Sequence, residues 1–166
     1  IPRKGVDTFV NISSMLSKRD DIRFVWVGES EPLLEDALDG LDRGNVLFPG
    51  HVPFQDIVGV YSAADVFVFP TRAESYGNVM LEAASCGCPL LIRDIPVYEE
   101  WVHDGVHCLK ARTDAEFAQK LESLVDDAQL RGRMVQGARD LAGEHDIRKT
   151  AAMLKELYEG LAKGRS

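Results

Sequence analysis

The sequence predicts an α/β domain with a parallel sheet buried between helices, and three observations predict it. Short continuous apolar runs recur along the chain, at 24–27, 46–48, 66–69, 90–92 and, more weakly, 108–110, which is how strands read when both faces are covered. Longer stretches of helical spacing separate these runs. The 166 residues, 45% of them hydrophobic, suffice for one core and one domain spanning 1–166.

Taken in order, Pro2-Arg3-Lys4-Gly5 reads as a loop opening a first helix, on which Val6, Phe9, Val10 and Leu16 share a face. Strand 24–27 follows, and Pro32 sits where a helix can begin, at its first position. After strand 46–48, Ile57, Val58 and Tyr61 mark another helix. Strand 66–69 leads into a helix over 78–86 that Gly87 stops, and strand 90–92 comes next. Beyond Lys110 the chain turns helical only: Thr113 with Glu116 three residues later forms a capping box, and helices are expected near 128–141 and 147–161. No repeat or Pro/Gly/Ser linker divides the chain. A βαβ unit would place a strand just before the first helix, and the chain opens on Ile1, so a longer polypeptide is expected.

Composition narrows the function. Nineteen Lys and Arg against twenty-seven Asp and Glu give a net charge of −8, which disfavours a polymeric nucleic acid partner. No apolar stretch approaches the ~20 residues that span a bilayer. Cys86, Cys88 and Cys108 are few and odd in number, which suits a reducing, cytoplasmic setting. Cys86-Gly87-Cys88 lacks the two-residue spacer of a zinc or redox pair and reads as packed, inert thiols. His51, His103, His107 and His145 read as structural or surface groups, so no metal site is expected.

Ligands of open parallel sheets bind beyond the carboxyl ends of the strands, which directs attention to the loops there. The richest is 70–78, Pro-Thr-Arg-Ala-Glu-Ser-Tyr-Gly-Asn, entering a helix whose first amides lack partners and suit a phosphate. Gly77 would let a ligand approach the backbone, though it also reads as an ordinary turn glycine. Glu82 lies between Leu81 and Ala83 in that helix, where the apolar pattern should bury or half-bury it. A carboxylate there needs donors, and the adjacent hydroxyls of a ribose match its two oxygens. Glu74, in the loop, is expected to face the same crevice; singly, it reads as a solvated acid. Lys4 can neutralise a diphosphate or be a plain surface lysine. Gly50-His51-Val52 can border a flat base or form a tight turn. No serine or cysteine carries the surroundings of a covalent hydrolase.

Residues 69–89, Phe-Pro-Thr-Arg-Ala-Glu-Ser-Tyr-Gly-Asn-Val-Met-Leu-Glu-Ala-Ala-Ser-Cys-Gly-Cys-Pro, resemble the signature of the retaining nucleotide-sugar glycosyltransferases of family 4, which have the GT-B fold. The resemblance rests on two glutamates separated by seven residues, an aromatic-Gly pair at the helix start, and Leu-Glu-Ala followed by Gly-x-Pro. Lys4-Gly5, 24–28, 50–52, Ala63-Ala64-Asp65-Val66 and the Asp104-Gly105 turn extend it along most of the chain. It implies a Rossmann-like three-layer domain, the C-terminal, donor-binding half of the GT-B fold, with extra helices at its C-terminus. Residue by residue, it implies that Glu82 holds the ribose hydroxyls, Glu74 the donor sugar, and Lys4 with the amides around Gly77, Asn78 and Val79 the diphosphate. Val52 would border the base. Ser75 and Tyr76 complete the donor-binding loop, but they stand where the family usually has Gly and Phe.

The activity so implied is transfer of a hexose with retained configuration, UDP-glucose first among donors. The nucleotide-sugar would be a substrate, with no tightly bound cofactor or metal. The acceptor would dock on an N-terminal half absent from this chain, and the absent first strand would carry the family's diphosphate-binding arginine, so the fragment is expected to bind donor weakly and to catalyse nothing alone. The string 92–99, Ile-Arg-Asp-Ile-Pro-Val-Tyr-Glu, resembles the corresponding loop of bacterial enzymes that glucosylate diacylglycerol. That implies a membrane-lipid acceptor and a protein at the inner face of the membrane, contacted through the other half. A nucleotide-sugar epimerase or a sucrose- or starch-type synthase on the same scaffold is the enzymatic alternative. A non-catalytic, flavodoxin-like partner-binding domain is the other, although Glu29 and Glu31 lack the partner lysine such a domain needs.

Overall fold

The computed structural model describes residues 2–28, 44 and 46–163. Chain order is α1 (Val6–Met15), β1 (Phe24–Val27), β2 (Val46–Gly50), α2 (Ile57–Ala63), β3 (Phe67–Phe69), α3 (Asn78–Ser85), β4 (Leu90–Arg93), β5 (Leu109–Ala111), α4 (Asp114–Asp126), α5 (Ala128–Glu144) and α6 (Ile147–Lys163). Short 3-10 turns occupy Pro2–Lys4, Phe54–Asp56 and Pro96–Tyr98. The strands fall within two residues of their expected ends. Pro32, Glu29 and Glu31, with the helix and acidic pair assigned to them, lie outside the described residues.

Every ladder is parallel: Phe24 pairs with Val46, Phe67 with Leu90, and Leu91 with Leu109. The strands hydrogen-bond as two sheets, β1-β2 and β3-β4-β5, rather than as the single sheet expected. Apolar runs report that a strand is buried, not which neighbour it pairs with, so this division left no trace in the sequence.

The period-2 alternation of β4 sets the layers. Leu91 points to one side, into a core of Val6, Val10 and Ile12 from α1 and Phe117 and Leu121 from α4. Leu90 and Ile92 point to the other, among Met80, Ala83 and Ala84 of α3 and Ala138 and Leu141 of α5. Phe24 and Val46 join the first core, so the two sheets share one apolar layer despite their separate ladders.

Helix ends follow local chemistry. At α4 the Glu116 amide donates to Thr113 Oγ1 (3.2 Å), while the Glu116 carboxylate accepts from Arg112 N (2.7 Å), one residue short of a reciprocal capping box. Asp127 caps α5, accepting from the amides of Gln129 and Leu130, both at 2.9 Å. Along α6, Ile147, Leu154, Leu157 and Leu161 form one helical stripe and all remain exposed. Among the described residues no helix is long and apolar enough to cross a membrane.

The thiols pack as expected: Cys88 and Cys108 are buried, and burial pushes both up to about 12. Cys86 is half-buried. His107 is buried, accepts the His103 amide at Nδ1 (3.2 Å), and is held below the usual imidazole range chiefly by burial.

Leu91→Ala removes a side chain enclosed between layers and is expected to cost ~2–5 kcal/mol in urea unfolding. Leu47→Ala, 58% exposed on β2, should stay within ~0.5 kcal/mol. Equal, small effects at both positions would contradict the layering.

Candidate functional site

The turn at Pro2–Lys4 and the loop leaving β3 meet at the carboxyl end of the strand and are sewn together. Arg72 N donates to Arg3 O (2.8 Å). The Thr71 hydroxyl lies within reach of both Arg3 O (3.2 Å) and Glu74 Oε1 (3.1 Å), its single proton serving one at a time. Gly5 precedes α1 at φ 74°, and a Cβ on it would stand 2.2 Å from Pro70 O, so only glycine permits the approach. From β4, Arg93 donates Nε to Pro70 O (2.9 Å) and Nη2 to Thr8 Oγ1 (2.8 Å), tying the loop to α1. Arg72 grips Asp7 with both terminal nitrogens, at 2.8 and 2.6 Å, and this bond holds the Asp7 carboxyl below its usual range against an opposing contribution from burial.

Within this frame Lys4 Nζ sits 2.5 Å from Glu74 Oε1. The carboxylate side chain is only 11% exposed and the lysine 36%, so the acid is enclosed and the ammonium still reaches water. Its place in the first loop, and the resemblance, imply a diphosphate partner for Lys4; in the free protein its charge is balanced by Glu74.

α3 begins directly after this loop. Gly77 caps it at φ 92°, and no side chain bonds to its first amides. Ser75, Tyr76, Asn78 and Val79 are exposed around that helix start. Unpartnered amides and the macrodipole make it a place for negative charge.

Glu82 is exposed, not buried as its neighbours suggested. Met80, Ala83 and Ala84 form the buried face of α3, and the 3.6-residue period turns position 82 away from it. Glu82 Oε2 accepts from the Tyr61 hydroxyl (2.9 Å). Burial first, then this carboxylate, pushes the Tyr61 phenol well above its usual range, so it stays a donor. Glu82 also lines an open cleft of about 520 Å³ with Asn78, Leu81, Ser85, Ala142 and His145, among others. Glu74 does not line this cleft, so the two glutamates are held by separate partners. Val52 is half-buried just past the end of β2, outside both hydrogen-bonded groups.

A third group fixes the loop from the far side. Tyr76 stacks on Trp101 (centroids 5.0 Å, planes 14° apart), and its hydroxyl lies 2.6 Å from His145 Nδ1 at the end of α5. The roles of Tyr61, Thr71, Trp101 and His145 carried no signal in local spacing, because each partner is remote in the chain. Arg93 lies in the 92–99 string.

A family model described as glycosyl transferases group 1 matches residues 1–127. Over 166 residues the chain is 28% identical to a processive diacylglycerol alpha-glucosyltransferase of Acholeplasma laidlawii, covering 97% of this chain and 48% of that protein. The chain thus spans about half the length of the curated relatives it matches. Among solved structures it is similar to the C-terminal domain of a glycosyl transferase group 1 family protein from Francisella tularensis, with TM-score 0.73, 25% identity, and coverage of 87% of this chain and 80% of that one. It also matches the fold of Anabaena HepE in complex with UDP, with TM-score 0.84, 21% identity, and coverage of 96% and 46%. The fold is that of a GT-B C-terminal domain, and with the match running through both sewn loops and α3, the chain belongs to the group 1 glycosyl transferases.

Proposed function

We propose that this chain is the donor-binding half of a retaining hexosyltransferase that draws its sugar from a nucleotide-sugar, UDP-glucose first, and delivers it to a diacylglycerol-type lipid held by a separate N-terminal half. The observation that carries this reading is the Lys4–Glu74 pair set beside the uncapped start of α3. The diacylglycerol glucosyltransferase relative and the UDP held by the Anabaena protein support it.

The chemistry follows from exchange of partners. A diphosphate at the first amides of α3 draws the Lys4 ammonium, and together they stabilise the negative charge that grows on the departing phosphate oxygen. Glu74, relieved of its lysine, then accepts hydrogen bonds from hydroxyls of the donor sugar. Glu82 trades the Tyr61 hydroxyl for the adjacent hydroxyl pair of the ribose, two oxygens meeting two donors. Val52 borders the base at the end of β2. The donor is consumed as substrate, and the proposal includes no resident cofactor. The few, free cysteines fit a cytoplasmic setting, and with a net charge of −8 contact with the anionic inner leaflet falls to the other half.

Ligand-observed NMR with UDP-glucose, UDP-galactose, GDP-mannose and UDP at millimolar concentration tests the assignment. Saturation should reach ribose and base protons of the preferred donor. Glu82→Ala, at an exposed position, should weaken that ligand ~10–100-fold, as expected for loss of hydrogen bonds to a charged group, with little change in Tm. Full-strength signals in Glu82→Ala, or none in the folded wild-type chain, would overturn the reading.

Lys4→Ala separates binding from support of the fold. It should weaken UDP by ~10-fold or more and also lower Tm, because Glu74 is left enclosed without its counter-charge. Adding Glu74→Gln should restore Tm but not UDP affinity. If the double variant recovers both, the lysine serves only the fold.

A further inference from the structure

Tyr98 ends the 3-10 turn between β4 and β5 and is fully buried. Its main chain is well used: the amide donates to Ile95 O (3.0 Å), and the carbonyl accepts from Val102 N (3.0 Å) and Lys110 Nζ (3.3 Å). Its ring packs edge-on against Trp101 (5.7 Å) in the core beside α3. Its hydroxyl, in contrast, is the one buried side-chain oxygen or nitrogen without a hydrogen-bond partner among the described residues.

The orphaned oxygen has a direction. A Cβ built on Gly77 would stand 2.6 Å from it, so the hydroxyl occupies the space left by the missing side chain at the cap of α3, behind the loop that carries Glu74. Burial, and after it the Glu74 charge, push the phenol above its usual range, so the group keeps its proton and is a donor without an acceptor. Phenylalanine would fill the same volume without a desolvated hydroxyl, which is destabilising by as much as a good hydrogen bond contributes, or more. A buried unpaired group in a folded protein calls for a reason, and a partner supplied in another state of the site is one.

We propose that Tyr98 is a positioning residue for the donor site, whose hydroxyl gains its acceptor when the 74–77 loop closes on bound nucleotide-sugar and so holds the loop in that shape. It acts through the loop and not on the reacting atoms. The inference rests on the reading of this site as a donor site.

Tyr98→Phe in the full chain tests it with two readouts of opposite sign. In the free protein, removing the orphaned hydroxyl should leave Tm unchanged or raise it by ~2–4 °C. With UDP-glucose and UDP titrated by NMR, the affinity of the preferred ligand should fall ~5–10-fold, one hydrogen bond's worth. In the wild-type chain, adding that ligand should move the Tyr98 hydroxyl proton downfield and slow its exchange. Equal affinities in both proteins would overturn the inference while leaving the donor site standing, and so would a lower Tm for the free variant, because the hydroxyl would then be paired without ligand. If the wild-type chain binds no nucleotide, the donor-site reading falls and this inference with it.

Discussion

The Lys4 ammonium, 2.5 Å from Glu74, joins the start of the chain to a loop seventy residues later, and the geometry around α3 depends on that junction. A loop between a strand and a helix has few internal restraints, since its main-chain groups face outward and make few ladder bonds. Here the restraints come from outside: Arg3 O receives Arg72 N, Asp7 receives the Arg72 guanidinium, and Pro70 O receives Arg93. The backbone contacts set the path of the loop, and the ion pair sets the direction of the Glu74 side chain. The same pair balances the lysine's charge in the free protein, and on the proposed reading a bound anion would compete for it.

Whether an acidic protein can hold an anionic ligand is a question of range. At physiological ionic strength charges beyond ~8 Å are largely screened, so the net −8 matters less than the groups within one loop's reach. Asp7 is taken by Arg72 and Glu74 by Lys4. Arg93 is different: its guanidinium meets the neutral oxygens Thr8 Oγ1, Pro70 O and Arg112 O. Burial and the nearby Arg72 hold its pKa below the usual range. Among the described residues no carboxylate hydrogen-bonds to it, although Asp114 and Asp7 are near enough to favour its charge.

Much of this architecture was legible because it rests on periodicity. Continuous apolar runs located every described strand, and Thr113 and Gly87 marked helix ends through local bonds that depend on a few adjacent residues. Of the candidate site only the placement was legible: Lys4 and Glu74 lie in loops beside α3, Gly77 caps it and Glu82 lies within it, whereas the common crevice expected for the two glutamates is not seen. What escaped depends on distance along the chain. Glu82 was expected to be buried or half-buried because Leu81 and Ala83 flank it, yet on a helix immediate neighbours point different ways, and Met80 with Ala84 decides the inner face. Tyr61, Arg93 and His145 meet the site only after folding, and no local pattern announces them. The division between β1 and β3 is likewise a matter of pairing, which burial alone does not encode.

The spacing of the two glutamates can be explained by the helix itself. Glu74 stands three residues before Gly77, in the sewn loop, and Glu82 lies four positions past Asn78, the first residue of α3. Four steps of an α-helix advance ~6 Å, about one turn. On the proposed reading, a phosphate at the first amides and a hydroxyl pair at Glu82 would lie about one helical turn apart, and in a nucleoside diphosphate a single methylene joins the phosphate ester to the ribose ring. Met80, Ala83 and Ala84 keep that rail pressed against the sheet and α5, two of them small enough to let the helices approach closely. Moving the carboxylate to position 83 would turn it into the core, and moving it to 81 would change both its face and its reach. The separation of seven residues thus expresses one condition, that a loop acid and a helix acid flank the same helix start while the rest of the helix stays buried.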